Sequence, residues 1–214
     1  MADLSSLAEV RGLAAQVLSE HDRLDVLINN AGIISREREE SVDGHELTFA
    51  VNYLSHFLLT RLLLPLLRDS ASARVVNVAS AGQGPIDFDD PMLERGYDAM
   101  GAYTQSKLAQ VMFTFELAER LSGTGVAVNA LHPASLMDTK MVHDTFGYTM
   151  STVEEGAEAV VRLAASPEVE GVTGRYFDGT REARANRQAY DLQARKRLWA
   201  FSEELCGSVS EPIR

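Results

Sequence analysis

Two side chains one helical turn apart carry the clearest chemistry in this chain. Tyr103 and Lys107 lie in the segment Tyr103-Thr104-Gln105-Ser106-Lys107, and a four-residue separation puts both on the same face of a helix. A tyrosine with an ordinary pKa near ~10 is a poor proton donor or base at neutrality. A neighbouring ammonium stabilises the phenolate and lowers that pKa, which makes the pair a proton-transfer couple. The spacing alone is common and also occurs on helices that only pack. Three polar segments follow short apolar runs: Asn29-Asn30-Ala31-Gly32, Ser80-Ala81-Gly82 and His132-Pro133-Ala134. Their small residues let a flat ligand approach the backbone closely, although Gly and Asn also end strands that bind nothing.

The elements that must position these residues alternate in type. Leu7, Val10, Leu13, Ala14, Val17 and Leu18 recur at helical spacing, with Ser6 and Glu9 placed for a capping box. Leu24 to Ile28 reads as a buried strand. Asp43 is a candidate cap for a long helix running to about Arg68, and Arg74 to Ala79 is a β-branched strand. A helix over 103–121, a strand over 125–131, a loop with a short helix over 133–151, a helix over 154–165 and a strand over 173–177 follow. The tail over 182–205 is charged and helical, with Tyr190, Leu198, Trp199 and Phe201 available to dock on the body. Strands alternating with long helices predict βαβ units and a Rossmann-like parallel sheet in an α/β fold, covered by helices on both faces because its strands are continuous apolar runs. In such a sheet ligands bind outside the carboxyl ends of the strands, where the three polar segments fall. The chain contains no internal repeat and no linker, which predicts one domain over residues 1–214.

Composition narrows the function. The chain is 45% hydrophobic and 24% charged with a formal net charge of -11, values of a folded domain whose field does not attract nucleic acid or an anionic membrane. Cys206 is the single cysteine, which excludes an intramolecular disulfide and a cysteine-based zinc site and fits a reducing, cytoplasmic setting. His45, His56 and His143 show no metal-ligand spacing, so no metal is assigned. The greasy stretch over 57–67 is interrupted by Thr60, Arg61 and Pro65 and is too short to span a bilayer. Phe57, Leu58, Leu59, Leu62 and Leu63 read as core.

Taken together, the motifs resemble the short-chain dehydrogenase/reductase family over nearly every residue from Asp3 to Asp178. Asn29-Asn30-Ala31-Gly32 matches the family stretch beside the cofactor, Asn52 its active-site asparagine, Ser80 its catalytic serine, and Tyr103 with Lys107 its catalytic pair. The resemblance implies an NAD(P)-dependent oxidoreductase interconverting an alcohol and a carbonyl. Tyr103 would be the general acid or base. Lys107 would lower its pKa and bind the nicotinamide ribose, Ser80 would hold the substrate oxygen, and Asn52 would hold a relaying water. It also implies that Asp3 contacts the adenine, that Asn29, Ala31 and Gly32 line the cofactor, and that His132, Pro133, Leu136 and Thr139 match the loop at its carboxamide and diphosphate end. The family's Pro-Gly is here Pro133-Ala134, which predicts altered docking if the backbone needs a positive φ. Val51-Asn52-Tyr53-Leu54-Ser55-His56-Phe57 and Thr173-Gly174-Arg175-Tyr176-Phe177 look like the retinol dehydrogenase-like and WW-domain oxidoreductase-like branch. That likeness points to NADP over NAD and to an apolar small-molecule alcohol or carbonyl. Leu136, Met137, Met141, Phe146, Tyr148 and Met150 are candidates to line the substrate pocket; packing against the tail helix is their equally weighted alternative.

One family motif has no counterpart. A dinucleotide-binding fold opens with a strand, a glycine-rich turn and a helix N-terminus that holds the diphosphate, and no Gly-x-x-x-Gly-x-Gly occurs in the chain. The expectation is therefore a sheet lacking its first three strands and two helices, with the 24–28 strand left as an apolar edge. A working protein that begins upstream, a truncated product, and a shortened chain rescued by a partner or as a homo-oligomer all fit. A non-catalytic remnant or interaction protein on the same half-fold is the alternative function.

Overall fold

A computed structural model describes residues 1–70 and 72–207. Five strands form one sheet in the order β1-β2-β3-β4-β5: β1 (Val26–Asn29), β2 (Arg74–Val78), β3 (Ala127–His132), β4 (Arg175–Asp178) and β5 (Arg181–Glu182). β1 to β4 are parallel, with Asn29 opposite Asn77, Asn77 opposite Ala130 and Leu131 opposite Phe177. β5 returns antiparallel on β4 after a turn in which Gly179 takes φ 56°, a conformation glycine adopts without steric cost. The sheet is therefore not purely parallel; a two-residue strand is too short to show any periodicity.

Adjacent residues of the strands serve opposite faces. Val75, Val128 and Ala130 enter the main core with Phe57, Leu108 and Met112, while Val76, Val78 and Leu131 enter a second core with Leu163 and Phe177. Apolar runs without alternation follow directly from this two-sided burial. α2 (Leu47–Phe49) continues through a π-helical stretch, Ala50–Leu54, into α3 (Ser55–Asp69). α3 and α4 (Ala99–Arg120) cover one face, with α1 (Leu7–Glu20) against α3 and α7 (Leu192–Cys206) against α4; α6 (Val153–Ala165) covers the other face. The continuous helix Leu47–Asp69 is long and apolar enough to cross a membrane, but 83% of its apolar window is buried inside the protein. Its hydrophobic surface is satisfied by the core.

Several local readings change. Glu46, not Asp43, caps the long helix, its carboxylate accepting from the Thr48 and Phe49 N–H groups. Asp43 sits in the turn ahead of it and accepts instead from Leu7 N–H at 2.8 Å, so it serves the start of α1, 36 residues away in sequence. Ser6 caps α1 through Glu9 N–H, whereas the Glu9 carboxylate accepts from Asp3 N–H at 2.6 Å and leaves the reciprocal box unmade. α4 begins at Ala99 with Asp98 as its cap, a turn before the expected start. The tail runs through a 3₁₀ turn at Arg187–Tyr190 before α7. There Leu198 and Trp199 are buried, and the indole lies 5.1 Å from the Phe57 ring centroid. Cys206 ends α7 as a buried thiol. At the other side of the sheet β1 forms the edge, where Ile28 is 42% exposed.

Candidate active site

The carboxyl ends of β1, β2 and β3 open into one cleft of about 760 Å³, within the size range of small-molecule sites. It is lined by Asn30 to Ile34 after β1, Val78 to Gly82 after β2, Tyr103 and Lys107 from α4, and His132 to Met137 after β3, with Thr139, Met141 and Phe146 at its outer wall. The sequence thus brings together Ala31, Gly32, Ser80, Tyr103, Lys107, Pro133, Ala134, Leu136, Met137, Thr139, Met141 and Phe146.

Five predicted residues sit elsewhere. Asn29 is buried below the cleft and its amide donates to Thr60 Oγ1 at 3.0 Å and Asn77 Oδ1 at 2.8 Å. Asn77 in turn donates to Thr114 Oγ1. This ladder ties β1, β2, α3 and α4 together, and Asn30 takes the cleft position instead. Asp3 is exposed and accepts from the N–H and hydroxyl of Ser5, which hold its carboxyl below the usual range; Leu4 reaches the cleft. Tyr148 and Met150, 58% and 69% exposed, lie outside the cleft. Asn52 lies just behind the lining, fully buried.

Asn52 clamps the loop after β1. Its Oδ1 accepts from Ile33 N–H at 2.8 Å, and its Nδ2 donates to the Ile33 carbonyl at 3.0 Å and to Ser106 Oγ at 3.0 Å. The Ser106 hydroxyl in turn donates to the Tyr103 carbonyl at 2.7 Å. The amide expected to hold a water is therefore engaged with protein through both ends. A side chain on Gly32 would meet Asn52 Oδ1 and Lys107 Nζ, each 3.4 Å from its Cβ, so glycine keeps this shelf clear for a flat ligand. Ser80 is held from behind: its carbonyl accepts from the Tyr176 hydroxyl at 3.0 Å and from Gln83 Nε2 at 2.8 Å, and its hydroxyl accepts from Gly82 N–H.

The electrostatics differ from the simple expectation. Burial pushes the Tyr103 phenol above its ordinary value, and the Ser80 hydroxyl opposes that shift. Lys107 Nζ lies 5.7 Å from the Tyr103 ring centroid. Burial pushes the Lys107 ammonium itself down to about 7, while two acceptors hold the charged form, Val78 O at 2.9 Å and Gln110 Oε1 at 3.0 Å. The Ala134 substitution is harmless to the backbone: Leu136, at φ 45°, is the left-handed residue of that loop, and Ala134 is not one.

The outer wall is built loosely. α5 (Lys140–Phe146) is capped by Thr139 and buries none of its residues. Met137 is anchored more firmly, with its Sδ against Gly156, where a Cβ would come within 2.1 Å. Met137 and Met141 border the cleft, whereas Met150 is 69% exposed outside it. Met100, one turn ahead of Tyr103, also lines the cleft; its i, i+3 spacing from Tyr103 was the available signal.

Comparison with known proteins agrees with this geometry. Residues 1–147 match the family model for short chain dehydrogenases. The chain is 44% identical to retinol dehydrogenase 14 of Homo sapiens over 96% of its own length and 65% of that protein. It is 40% identical to human retinol dehydrogenase 13 over 99% of its length and 69% of that protein. The chain thus spans about two thirds of the length of these relatives. Among solved structures, a Mycobacterium paratuberculosis protein superposes with TM-score 0.75 at 32% identity, covering 96% of this chain and 74% of that one. The RhlG/NADP active-site complex of Pseudomonas aeruginosa gives TM-score 0.62 at 31% identity, covering 83% and 73%. The chain belongs to the short chain dehydrogenase family.

Proposed function

We propose that this chain carries the proton-transfer and substrate-binding half of an NAD(P)-dependent oxidoreductase that interconverts an alcohol and a carbonyl on an apolar small molecule. The observation that carries this reading is the convergence of Ser80, Tyr103 and Lys107 on one cleft whose outer wall is apolar. The nicotinamide end of the cofactor fits the residues present: the Gly32 shelf is clear, Lys107 Nζ borders it, and His132 to Leu136 close the far side. A bound nicotinamide supplies or accepts the hydride. In carbonyl reduction Tyr103 delivers its proton to the substrate oxygen, and the raised phenol keeps that proton available at neutrality. Ser80 orients the same oxygen. In alcohol oxidation the hydroxyl proton returns to Tyr103 as the carbon gives up hydride. Lys107 supplies the positive charge that offsets the phenolate. NADP is favoured over NAD on likeness alone, since the RhlG complex was solved with NADP.

The same reading assigns the adenosine and diphosphate to a segment other than residues 1–214. Its supports are the lack of a glycine-rich turn in the sequence and the exposed β1 edge, where further parallel strands would pair. The test is NADPH-dependent reduction of a panel of apolar aldehydes and ketones. One arm uses this chain, and a second uses it fused behind the N-terminal third of human retinol dehydrogenase 14. Turnover in either arm that Tyr103→Phe abolishes supports the reading. Folded proteins that turn over nothing in both arms overturn it.

A further inference from the structure

Behind Lys107 lies a polar pair that the proposed chemistry does not otherwise use. Gln110 and His56 are 1% and 2% exposed. Gln110 Oε1 accepts from Lys107 Nζ at 3.0 Å, and Gln110 Nε2 lies 2.9 Å from His56 Nδ1. The carboxamide has one accepting and one donating end, and only one orientation serves both neighbours. Its oxygen must face the ammonium, because an NH₂ group there would oppose the charge. Its NH₂ then needs an acceptor, which Nδ1 supplies only while the imidazole is neutral with its proton on Nε2. Burial and the Lys107 charge hold His56 neutral, pushing its pKa down to about 3 against the Asn52 backbone. The other titratable side chain at Lys107 is Tyr103.

We infer that Gln110, oriented by neutral His56, is a positioning residue for Lys107: it fixes the ammonium's place and keeps it protonated in a buried site. The inference rests on the proposed role of Lys107. An ammonium has three donors. Val78 O takes one and Gln110 Oε1 takes another, leaving one for the cleft beside Gly32. The accepting end of Gln110 thereby offsets part of the cost of burying the cation. Gln110 lies three residues after Lys107 on α4, on the side that also carries Ser106 and Thr114, and this contact accounts for a buried glutamine beside the core residues Val111, Met112 and Phe113.

The chain holds three lysines, Lys107, Lys140 and Lys196, so ¹³Cε NMR titration of the intact, cofactor-free chain resolves Lys107, with Lys107→Met assigning its signal. In Gln110→Leu the Lys107 midpoint is expected about one pH unit lower than in the wild type, a tenfold weaker hold on the proton. In Gln110→Glu, which keeps an oxygen acceptor, the midpoint is expected at or above the wild-type value. His56→Leu, which leaves the amide free to turn, is expected to lower it by a smaller step. Near-UV circular dichroism establishes that each variant is folded. A Lys107 midpoint unchanged in folded Gln110→Leu overturns the inference; should that substitution unfold the chain, an unchanged midpoint in folded His56→Leu does so. Because the titration needs no cofactor, absence of NADPH turnover would bear on the proposed function and leave this result standing. Where turnover is measurable, kcat should fall about tenfold in Gln110→Leu with the carbonyl KM unchanged.

Discussion

The two walls of the cleft are built on different principles. The inner wall, where β1, β2 and α4 meet, buries Asn52, Ser106, Lys107 and Gln110 almost completely and pairs Asn52 with Ser106 and Lys107 with Gln110 by hydrogen bonds of 3.0 Å. The outer wall, from Leu136 to Phe146, rests on a seven-residue helix with no buried residue, and it leaves Phe146 37% exposed. A proton-transfer group must be held in place and kept from water, and a rigid polar network does that at the cost of desolvating each member. An apolar wall that recognises substrate by shape needs no such network and tolerates mobility. On the proposed function this difference makes chemistry and selectivity separable: damage inside should abolish turnover, and damage outside should change what is turned over.

The sharpest way to break that comparison is Tyr103→Phe. It should lower turnover by roughly 10³-fold while leaving NADPH affinity unchanged, as steady-state rates and a binding titration would show; comparable loss from an outer-wall substitution would erase the distinction. Asn52→Ala should come next. It leaves Ile33 N–H and C=O and Ser106 without their partner, and urea unfolding should show a loss of about 3 kcal/mol. A third effect reads the inner wall's burial directly. The folded His56 pKa of about 3 lies below the value of 6.5 it departs from, so the unfolded chain binds the extra proton between them. Stability is therefore full above pH 6.5 and falls as pH drops toward 3, by up to about 1.4 kcal/mol per pH unit. Urea midpoints measured between neutrality and mild acid should show this slope, and His56→Leu should flatten it. The smallest effect belongs outside: Phe146→Ala should change stability by no more than about 0.5 kcal/mol yet raise KM for bulky apolar carbonyls several-fold, leaving small ones unaffected.

Legibility in the sequence followed the same division. Ser80, Tyr103, Lys107 and the polar strand ends were readable because residue type, helical spacing and position after an apolar run all point to one place. The helices on both faces followed from strands without alternation. What could not be read depended on partners far apart in the chain. Asp43 looks like the cap of the helix that follows it, but its carboxylate serves Leu7. Asn29 looks like a cofactor residue because it opens a cleft motif, but the pleat turns it inward to Asn77 and Thr60. His56 and Gln110 carry no local signal, since 54 residues separate them. Spacing places Lys107 beside Tyr103 but does not reveal burial, which pushes the phenol upward.

The central claim is that this inner wall serves a nicotinamide cofactor, and fluorescence titration with NADPH of this chain, alone and fused behind the N-terminal third of human retinol dehydrogenase 14, tests it most directly. The account predicts saturable binding that Lys107→Ala weakens and Tyr103→Phe leaves intact, since the phenol moves a proton and the ammonium borders the cofactor shelf. Folded proteins that show no saturable change in both arms, or whose binding is indifferent to Lys107→Ala, would contradict it.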